Sequence, residues 1–453
     1  MYLKNKIINV VSEKIVFPGR SLCRCSDGIV LFTDGLLPGE SADVLVIKDK
    51  KTFREGLLKN ISSKSCERID SLCSSFGVCG GCSFQNIPYK NQIKYKQGYV
   101  SELLNFAGIE ISTILTSSQI WHYRNKMEFS FFNKNKDNTI DLGLHRRGSF
   151  NKYVSVPSCF IADKDFSQVV EAMKRLANKN NFTVYNNKTH KGFFKQLVLR
   201  KAQNNNQFLI NIVTNAIDTE FTFLDSFVKE MSKFAQSIYW TLKDRIISEA
   251  VLSDKLILVY GKSFITEKLN IHSKDYFFNI SPLSFFQTNS KGTEILYNEV
   301  VRLLNPSMDD ILLDLYCGVG TIGISLACSV KKVIGIEQLR QAIVDAKENA
   351  LINNIYNTEF YVSSVENWVK ENNISFDVIV VDPARSGLAV DVIGFLIESK
   401  AKRIVYVSCN PSTLVRDLQI IIESAKYKIK EIVPIDMFPQ TYHVEVVVLL
   451  EAL

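Results

Sequence analysis

Three sets of residues have the types and spacing to do chemistry. Cys409 stands where a β-like run, Arg403–Ser408, gives way to Asn410-Pro411-Ser412-Thr413-Leu414. Asn410 can cap a helix and Pro411 suits its first position. Cys409 is therefore expected at a helix N-terminus, where the dipole favours thiolate. A nucleophile belongs at such a junction; a small buried hydrophobe closing the strand is the alternative. Near the C-terminus, Asp436-Met437-Phe438-Pro439-Gln440-Thr441-Tyr442-His443-Val444-Glu445 carries two candidate bases, His443 and Glu445, the second opening the last expected strand. Finally, Cys73, Cys79 and Cys82 form a C-x5-C-x2-C turn rich in glycine. Three thiolates fall short of the four that an Fe4S4 cluster or a structural zinc prefers. The fourth must come from elsewhere, with Cys159 the candidate and Cys66 its rival.

The elements that must position Cys409 and Glu445 lie after Ser281, where buried strands alternate with amphipathic helices. Ile311–Tyr316, Lys332–Glu337, Glu359–Val362, Asp377–Asp382 and Arg403–Ser408 read as strands, with helices such as Arg340–Asn353 and Val390–Ser399 between them. Such alternation predicts a parallel sheet covered on both faces, with its ligand at the strand carboxyl ends. Tyr427–Leu450 reads as a hairpin at the sheet edge.

The first of these strands runs into Asp314-Leu315-Tyr316-Cys317-Gly318-Val319-Gly320-Thr321, and the second ends in Glu337, an acid able to accept both hydroxyls of a ribose. The loop lacks the full Gly-x-Gly-x-x-Gly spacing and the Gly-Lys-Ser/Thr ending of a phosphate loop. A cofactor with adenosine but no pyrophosphate fits, which is S-adenosylmethionine; a redox dinucleotide is the alternative. Asp382 in Val381-Asp382-Pro383-Ala384-Arg385 sets a carboxylate over the same crevice, and Ser284–Asn289, with Gln287, precedes the sheet. A methyl donor beside a thiolate suggests the acceptor. Oxygen and nitrogen acceptors need only deprotonation, whereas C5 of uracil is a poor nucleophile. Thiolate addition at C6 gives C5 carbanion character, and a base must remove the C5 proton before the thiolate leaves.

At 453 residues the chain has room for about three domains, and 46% hydrophobic with 22% charged residues argues against long disorder. No run approaches the roughly 18–20 apolar residues of a membrane span. The short apolar run Ile7–Val11, followed by Glu13, does not make a secretory signal. A cytoplasmic location follows as the expectation. The net charge of +7 permits a polyanionic partner. Between Asn86 and Tyr153, ten basic residues face five acidic ones, interleaved with Tyr89, Tyr95, Trp121, Tyr123 and Phe129. That mixture suits phosphates and stacked, unpaired bases, or a solvated face over ordinary core aromatics. Ile7–Ile61 alternates short β-like runs with Pro-Gly and Asp-Gly turns, predicting a small barrel. The middle mixes strands (Gln196–Arg200, Phe208–Val213) with a helix (Phe166–Asn178), and the tracts Asn133–Asn138 and Asn178–Asn187 read as surface loops. The fold class is thus multidomain α/β. It comprises an OB-like β-barrel over 1–62, a central α+β domain with the cysteine site and an RNA-binding surface over 63–280, and a Rossmann-like class I S-adenosylmethionine-dependent methyltransferase domain over 281–453.

Taken together, Phe286-Gln287-x-Asn289, Asp314-Leu315-Tyr316-Cys317-Gly318-x-Gly320, Asp382-Pro383-Ala384-Arg385, Ser408-Cys409-Asn410-Pro411-x-Thr413-Leu414-x-Arg416-Asp417 and the run from Asp436 to Glu445 resemble the RNA uracil-C5 methyltransferases. Over nearly its whole length the chain is similar to those that methylate 23S ribosomal RNA and carry a TRAM domain, an OB-like RNA-binding barrel. The resemblance implies that Cys409 is the nucleophile and Glu445 the C5-proton base, and that Gln287, Tyr316, Glu337 and Asp382 contact S-adenosylmethionine. It also implies an Fe4S4 cluster on Cys73, Cys79, Cys82 and Cys159, with zinc as the alternative. The segment Tyr123–Phe129 matches too, making Arg124 and Lys126 candidates for phosphate or base contacts; an exposed edge strand is the alternative. The target uridine would flip out of its stack into the cleft between central and catalytic domains. Two positions depart from pattern: Ala384 replaces a usual second proline, and Cys23 replaces a usual small residue of the barrel. The partner implied is 23S rRNA, with a tRNA uridine the same-chemistry alternative and a non-catalytic iron–sulfur RNA-binding protein the alternative of another class. No membrane and no obligate protein partner are implied.

Overall fold

Along the N-terminal segment apolar and polar residues alternate at the strand period, and five strands close on themselves. They are β1 (Ile7–Val16), β2 (Arg20–Arg24), β3 (Val30–Thr33), β4 (Ser41–Asp49) and β5 (Phe53–Ser63). The computed structural model, which describes residues 3–134, 139–179, 182–215, 221–243, 255–372 and 374–453, orders them β1-β2-β3-β5-β4 in a closed barrel. Val10, Leu31, Val44 and Val46 fill its core. The predicted barrel is present.

After the cysteine turn come α1 (Tyr89–Leu104) and the two-residue β6 (Leu115–Thr116). A seven-stranded sheet follows, from β7 (Lys126–Asn133), β8 (Ile140–His145), β9 (Tyr153–Ser155), β10 (Phe194–Ala202), β11 (Gln207–Thr214), β12 (Ser237–Leu242) and β13 (Lys255–Gly261), in the order β13-β12-β11-β10-β7-β8-β9. Helices α2 (Phe166–Asn178) and α3 (Phe221–Met231) cover one face, packing Phe166, Val169 and Phe227 against Phe129, Leu197 and Ile210. Helix α2 has the bounds expected of it. Strand β7 lies between β10 and β8, but β8 pairs only with Ser130–Asn133, so Lys126–Phe129 pair with β10 alone, with Met127 and Phe129 buried and Lys126 and Glu128 half-buried. Residues 135–138 of the first asparagine-rich tract and 180–181 of the second lie outside the described residues.

A hairpin, β14 (Ile265–Ile271) with β15 (Lys274–Ile280), leads into the catalytic part. There α4 (Ser290–Leu304), β16 (Ile311–Leu315), α5 (Thr321–Leu326), β17 (Lys332–Glu337), α6 (Arg340–Ile352), β18 (Thr358–Val362), α7 (Val365–Glu371), β19 (Val378–Val381), α8 (Val390–Glu398), β20 (Arg403–Ser408), α9 (Pro411–Glu423), β21 (Tyr427–Asp436) and β22 (Glu445–Ala452) complete the chain. The sheet order is β18-β17-β16-β19-β20-β22-β21-β6. Strands β16 to β20 pair in parallel, and Val378, Ile379, Val380 and Val381 are completely buried, as a sheet covered on both faces requires.

The C-terminal hairpin lies at one end of the sheet, with β22 antiparallel to both β20 and β21, and the two-residue β6 pairs outside only Ile435 and Asp436 of β21. Packing crosses the boundary expected between 280 and 281. Tyr99, Val100, Leu104 and Ile114 belong to the core of the catalytic sheet with Leu313, Ile404 and Ile432. Ile265 joins Leu269 and Phe278 against Leu296 and Val300. An amphipathic helix seeks the nearest uncovered apolar sheet face, wherever chain order places it.

Helix α1 is also tied to the loop that joins β21 to β22. Lys96 Nζ lies 2.6 Å from Asp436 Oδ1, with both side chains fully buried. Tyr89 donates its hydroxyl to Asp436 Oδ2 at 2.9 Å, Lys96 donates to Phe438 O at 3.1 Å, and the Tyr99 hydroxyl donates to Tyr442 O. Gln92 and Gln440 exchange two hydrogen bonds of 2.9 and 3.0 Å. Lys96, counted among the cations suited to RNA, is thereby a structural residue. Removing one member of a buried pair leaves the other uncompensated, at a cost of about 3–5 kcal/mol. Lys96→Met is expected to lower the free energy of urea unfolding by that order, and Lys96→Met/Asp436→Leu to lose clearly less than the two single losses combined. Additive losses would show that the pair does not hold the loop.

Candidate active site

The strand carboxyl ends converge where the order reverses between β16 and β19. Leu315 pairs with both Ile336 and Val381, and Val381 with Tyr406. The turns after β16, β17, β19 and β20 therefore share one rim of the sheet, the crevice in which open α/β sheets bind ligands. After β16 the backbone turns through Tyr316 at φ 64, Gly318 at φ 55 and Gly320 at φ 79. A side chain on Gly318 would meet no atom within 4 Å, whereas one on Gly320 would press on Ile324, Phe360 and Ala346. Gly318 thus leaves backbone open to a ligand, and Gly320 brings α5 close to the sheet. Asp314 pins that helix by accepting from Gly323 N at 2.9 Å; burial pushes its carboxyl up to about 7, and its Oδ1 has no partner.

Of the four residues expected to contact the cofactor, Tyr316, Glu337 and Asp382 stand at the carboxyl ends of β16, β17 and β19, and Gln287 precedes α4. Glu337, at the end of β17, uses Oε1 to accept from Leu339 N at 2.9 Å. Tyr316 donates its hydroxyl to Glu366 at 3.2 Å. Asp382 follows β19, and burial pushes its carboxyl up to about 7. Gln287 is only 8% exposed, and its backbone carbonyl accepts from Asn125 Nδ2 at 3.1 Å. Carboxylates for hydroxyls and open backbone at Gly318 fit an adenosine-bearing cation. In the same segment Asn289 proves structural: it caps α4 by accepting from Gly292 N at 2.9 Å and donates to Met437 O at 2.8 Å.

Cys409 is where the sequence placed it, between β20 and the N-cap of α9. Asn410 accepts from Ser412 N at 3.2 Å, with Pro411 in the first turn. Strands β20 and β22 pair Ser408 with Val446, so one step further along the register Cys409 faces Glu445. The expected thiolate bias is not what the surroundings produce. Burial, then Glu445 and Asp382, push the Cys409 thiol up to about 12 against the pull of Arg385. Near neutral pH Cys409 rests as a thiol. Burial and Asp382 push Glu445 up to about 8. Burial, then Arg385, Lys96 and Arg124, push His443 down to about 3, making it much the weaker proton acceptor of the two candidate bases.

Arg385 closes the turn that begins at Asp382. Its guanidinium lies 3.4 Å from His443 Nε2, and its carbonyl accepts from Asn410 Nδ2 at 3.0 Å and Thr413 Oγ1 at 3.3 Å, joining the Asp382 and Cys409 turns. Of the tentative RNA contacts, Arg124 bridges Ala162 and Asn289 through its backbone and acts electrostatically on His443. Lys126 pairs with Glu128 at 2.8 Å, which leaves Arg124 better placed toward the crevice.

The cysteine turn packs beside the same loop. Cys73, Cys79 and Cys82 are buried and Cys159 half-buried; Cys82 and Cys159 each feel the charge of Cys79 and Cys73. Cys66 is exposed and absent from those interactions. Among the described residues no three Cys, His, Asp or Glu side chains close around a single metal ion. Gly81 N donates to Cys79 Sγ at 3.4 Å. Ser83 N and Phe84 N both donate to Gln440 O at 3.0 Å, and Tyr123 donates to Pro439 O at 2.9 Å.

An open sheet with this strand order, a glycine turn after β16 and acids ending β17 and β19 defines a class I S-adenosylmethionine-dependent methyltransferase. The family described as tRNA (Uracil-5-)-methyltransferase matches residues 88–453. A protein of Caldanaerobacter subterraneus subsp. tengcongensis described as an uncharacterized RNA methyltransferase is 38% identical over 99% of both chains. Another, of Clostridium tetani and likewise described, is 36% identical over 98% of this chain and 97% of its own. The crystal structure of the Pyrococcus abyssi tRNA (uracil-54, C5)-methyltransferase with S-adenosyl-L-homocysteine superposes with a TM-score of 0.76 at 29% identity, covering 97% of this chain and 99% of that one. The chain belongs to the RNA (uracil-5-)-methyltransferases and is an S-adenosylmethionine-dependent enzyme acting on RNA.

The buried acid makes a pH prediction. A glutamate carboxyl ordinarily titrates at 4.5, and Glu445 does so at about 8, so the folded chain holds this proton more tightly than the unfolded one. The stability it contributes is whole below the ordinary value and is lost as the pH rises through about 8. Glu445→Gln, which cannot ionise, is expected to melt several degrees above the wild type at pH 9, with the gap closing toward pH 5. A gap independent of pH would contradict the raised value.

Proposed function

We propose that the protein methylates C5 of a specific uridine in 23S rRNA, with Cys409 as nucleophile and Glu445 as the base. The observation that carries this reading is the β20–β22 register, which sets Cys409 against Glu445 at the cofactor rim. S-adenosylmethionine, held by Gln287, Tyr316, Glu337 and Asp382, supplies an electrophilic methyl group when bound. Cys409 gives up its proton to solvent as its sulfur bonds to C6 of the flipped uracil, and the C5–C6 electron pair shifts onto C5 and O4, which makes C5 nucleophilic. Once C5 carries the methyl group, Glu445 removes the C5 proton; the electron pair re-forms the C5–C6 double bond, and the C6–sulfur bond breaks to release Cys409. The proton affinity of Glu445, far above that of His443, supports it as base. The barrel, read as a TRAM domain, adds an RNA contact, and ten cysteines with no disulfide among them suit the reducing cytoplasm.

A tRNA uridine is the second reading, favoured by the Pyrococcus abyssi structure, whose title names that substrate. Tritium release from unmodified 5-tritiated-uridine rRNA and tRNA, with and without S-adenosylmethionine, separates the two. Cofactor-dependent release from rRNA alone is expected; release from tRNA alone would keep the chemistry and overturn the substrate, and no release from either would favour a non-catalytic RNA-binding protein. Cys409→Ala is expected to abolish release while leaving RNA affinity within about twofold. Glu445→Gln, able to add and methylate but not to eliminate, is expected to leave a denaturant-stable RNA adduct. Full activity in either variant would sink the mechanism.

For the cysteine site the same reading assigns a structural Fe4S4 cluster to Cys73, Cys79, Cys82 and Cys159. Four cysteine thiolates are the ligand set such a cluster takes, and Cys82 and Cys159 lie near enough to Cys73 and Cys79 to feel their charge. Anaerobically purified protein is expected to be brown, with iron and acid-labile sulfide, and Cys159→Ser to lose both. Stoichiometric zinc without iron would overturn the assignment.

A further inference from the structure

The basic and aromatic segment of the sequence is not used up by the active site. Its second half, with residues around 184–196, lines a groove of about 1230 Å³ on the central sheet. None of the residues given a role in the cofactor crevice lines it. We propose that this groove grips an unpaired segment of the substrate RNA away from the target uridine, an inference that rests on the RNA-methyltransferase reading.

Charge comes first. Arg146, Lys152, Lys188 and Lys195 contribute to the wall, and among the described lining residues there is no aspartate or glutamate. A solvated face ordinarily mixes both signs; a wall of one sign focuses field on an anion. The rings come second. Phe132, Tyr153 and His145 form a row, with Tyr153 centred 5.8 Å from Phe132 and 4.9 Å from His145. Lys195 Nζ sits 4.1 Å over the Tyr185 ring. Phe150, in the same wall, is 90% exposed, the most exposed large hydrophobic side chain among those described. Paired bases present no open face to a ring, whereas unpaired bases stack on aromatic side chains while cations follow the backbone.

The wall is also preformed. Arg146 N donates to Lys152 O at 2.8 Å, closing the turn that carries Phe150. That turn is stitched to the cysteine turn: Gly80 N donates to His145 O at 3.0 Å, Arg147 N donates to Val78 O at 2.8 Å, and the Arg147 guanidinium donates to Cys82 O. Holding a turn on the cysteine site while leaving its phenylalanine in water makes sense when the ring awaits a stacking partner. A groove remote from the reacting atoms contributes affinity and choice of RNA, so its loss should move KM and spare kcat.

The test uses the full chain and unmodified rRNA and tRNA. Arg146→Ala/Lys152→Ala/Lys188→Ala removes three cations, and the slope of log Kd against log salt should shrink by about 2, since each single-strand phosphate contact is worth about 0.7. Phe150→Ala should weaken binding about tenfold, and Phe150→Trp should restore it. Both losses should raise KM for the RNA that releases tritium, with kcat within twofold and the melting temperature unchanged, these side chains being exposed or half-buried. Poly(U) should compete for the Phe150-dependent part of binding and an RNA duplex should not. Wild-type Kd, slope and KM in both variants would overturn the proposal, as would competition by duplex alone. Failure of the uridine reading is distinct: no variant, nor the wild type, would release tritium, although groove-dependent RNA binding would persist.

Discussion

The buried pair of Lys96 and Asp436 is the constraint on which the catalytic arrangement depends. It joins residues 340 positions apart, and around it Tyr89, Gln92 and Tyr99 fasten the β21–β22 loop to α1. Glu445 begins the strand that leaves this loop, and His443 stands two residues before it. A loop between two strands is ordinarily a mobile part of a fold. Here a helix from before the central sheet, the cysteine turn and Asn289 hold it from three sides. Good geometry and full hydrogen bonding are what let a buried ion pair offset the loss of its water.

That rigidity serves an electrostatically costly site. Asp314, Asp382 and Glu445 are carboxyls pushed up by burial, gathered at one sheet rim with Arg385 as the nearby cation. Their burial and crowding keep Cys409 protonated at rest and make Glu445, once ionised, a stronger base than an ordinary carboxylate. A cationic methyl donor suits such a crevice, because it brings the positive charge that the acids lack. The helix dipole at α9 is present but outweighed: its effect is modest and falls off within a turn, while desolvation and two neighbouring carboxylates act on the thiol directly.

The cysteine turn touches both working regions. On one side Ser83 and Phe84 hold Gln440 in the catalytic loop; on the other Val78, Gly80 and Cys82 hold the turn bearing Phe150. A structural cluster there would brace the site of chemistry and the basic groove together without taking part in an electron-neutral methyl transfer.

Much of this was legible in the residues themselves. Strands β17 and β20 and helix α2 have the limits read from the sequence, because fully buried parallel strands are apolar runs and an amphipathic helix carries its own period. Cys409, Asn410 and Pro411 announce a capped helix through local chemistry alone. What local pattern cannot contain is pairing across distance. That α1 covers the catalytic sheet, that β6 adds a short pairing outside the terminal hairpin, that Lys96 is a buried partner rather than a phosphate contact, and that β7 joins β10 to β8 all depend on which faces meet once the chain has collapsed. The proton affinities of Cys409 and His443 belong to the same class. Residue types named both as reactive, but only tertiary burial and the neighbours it brings together determined that one rests as a thiol and the other holds protons weakly.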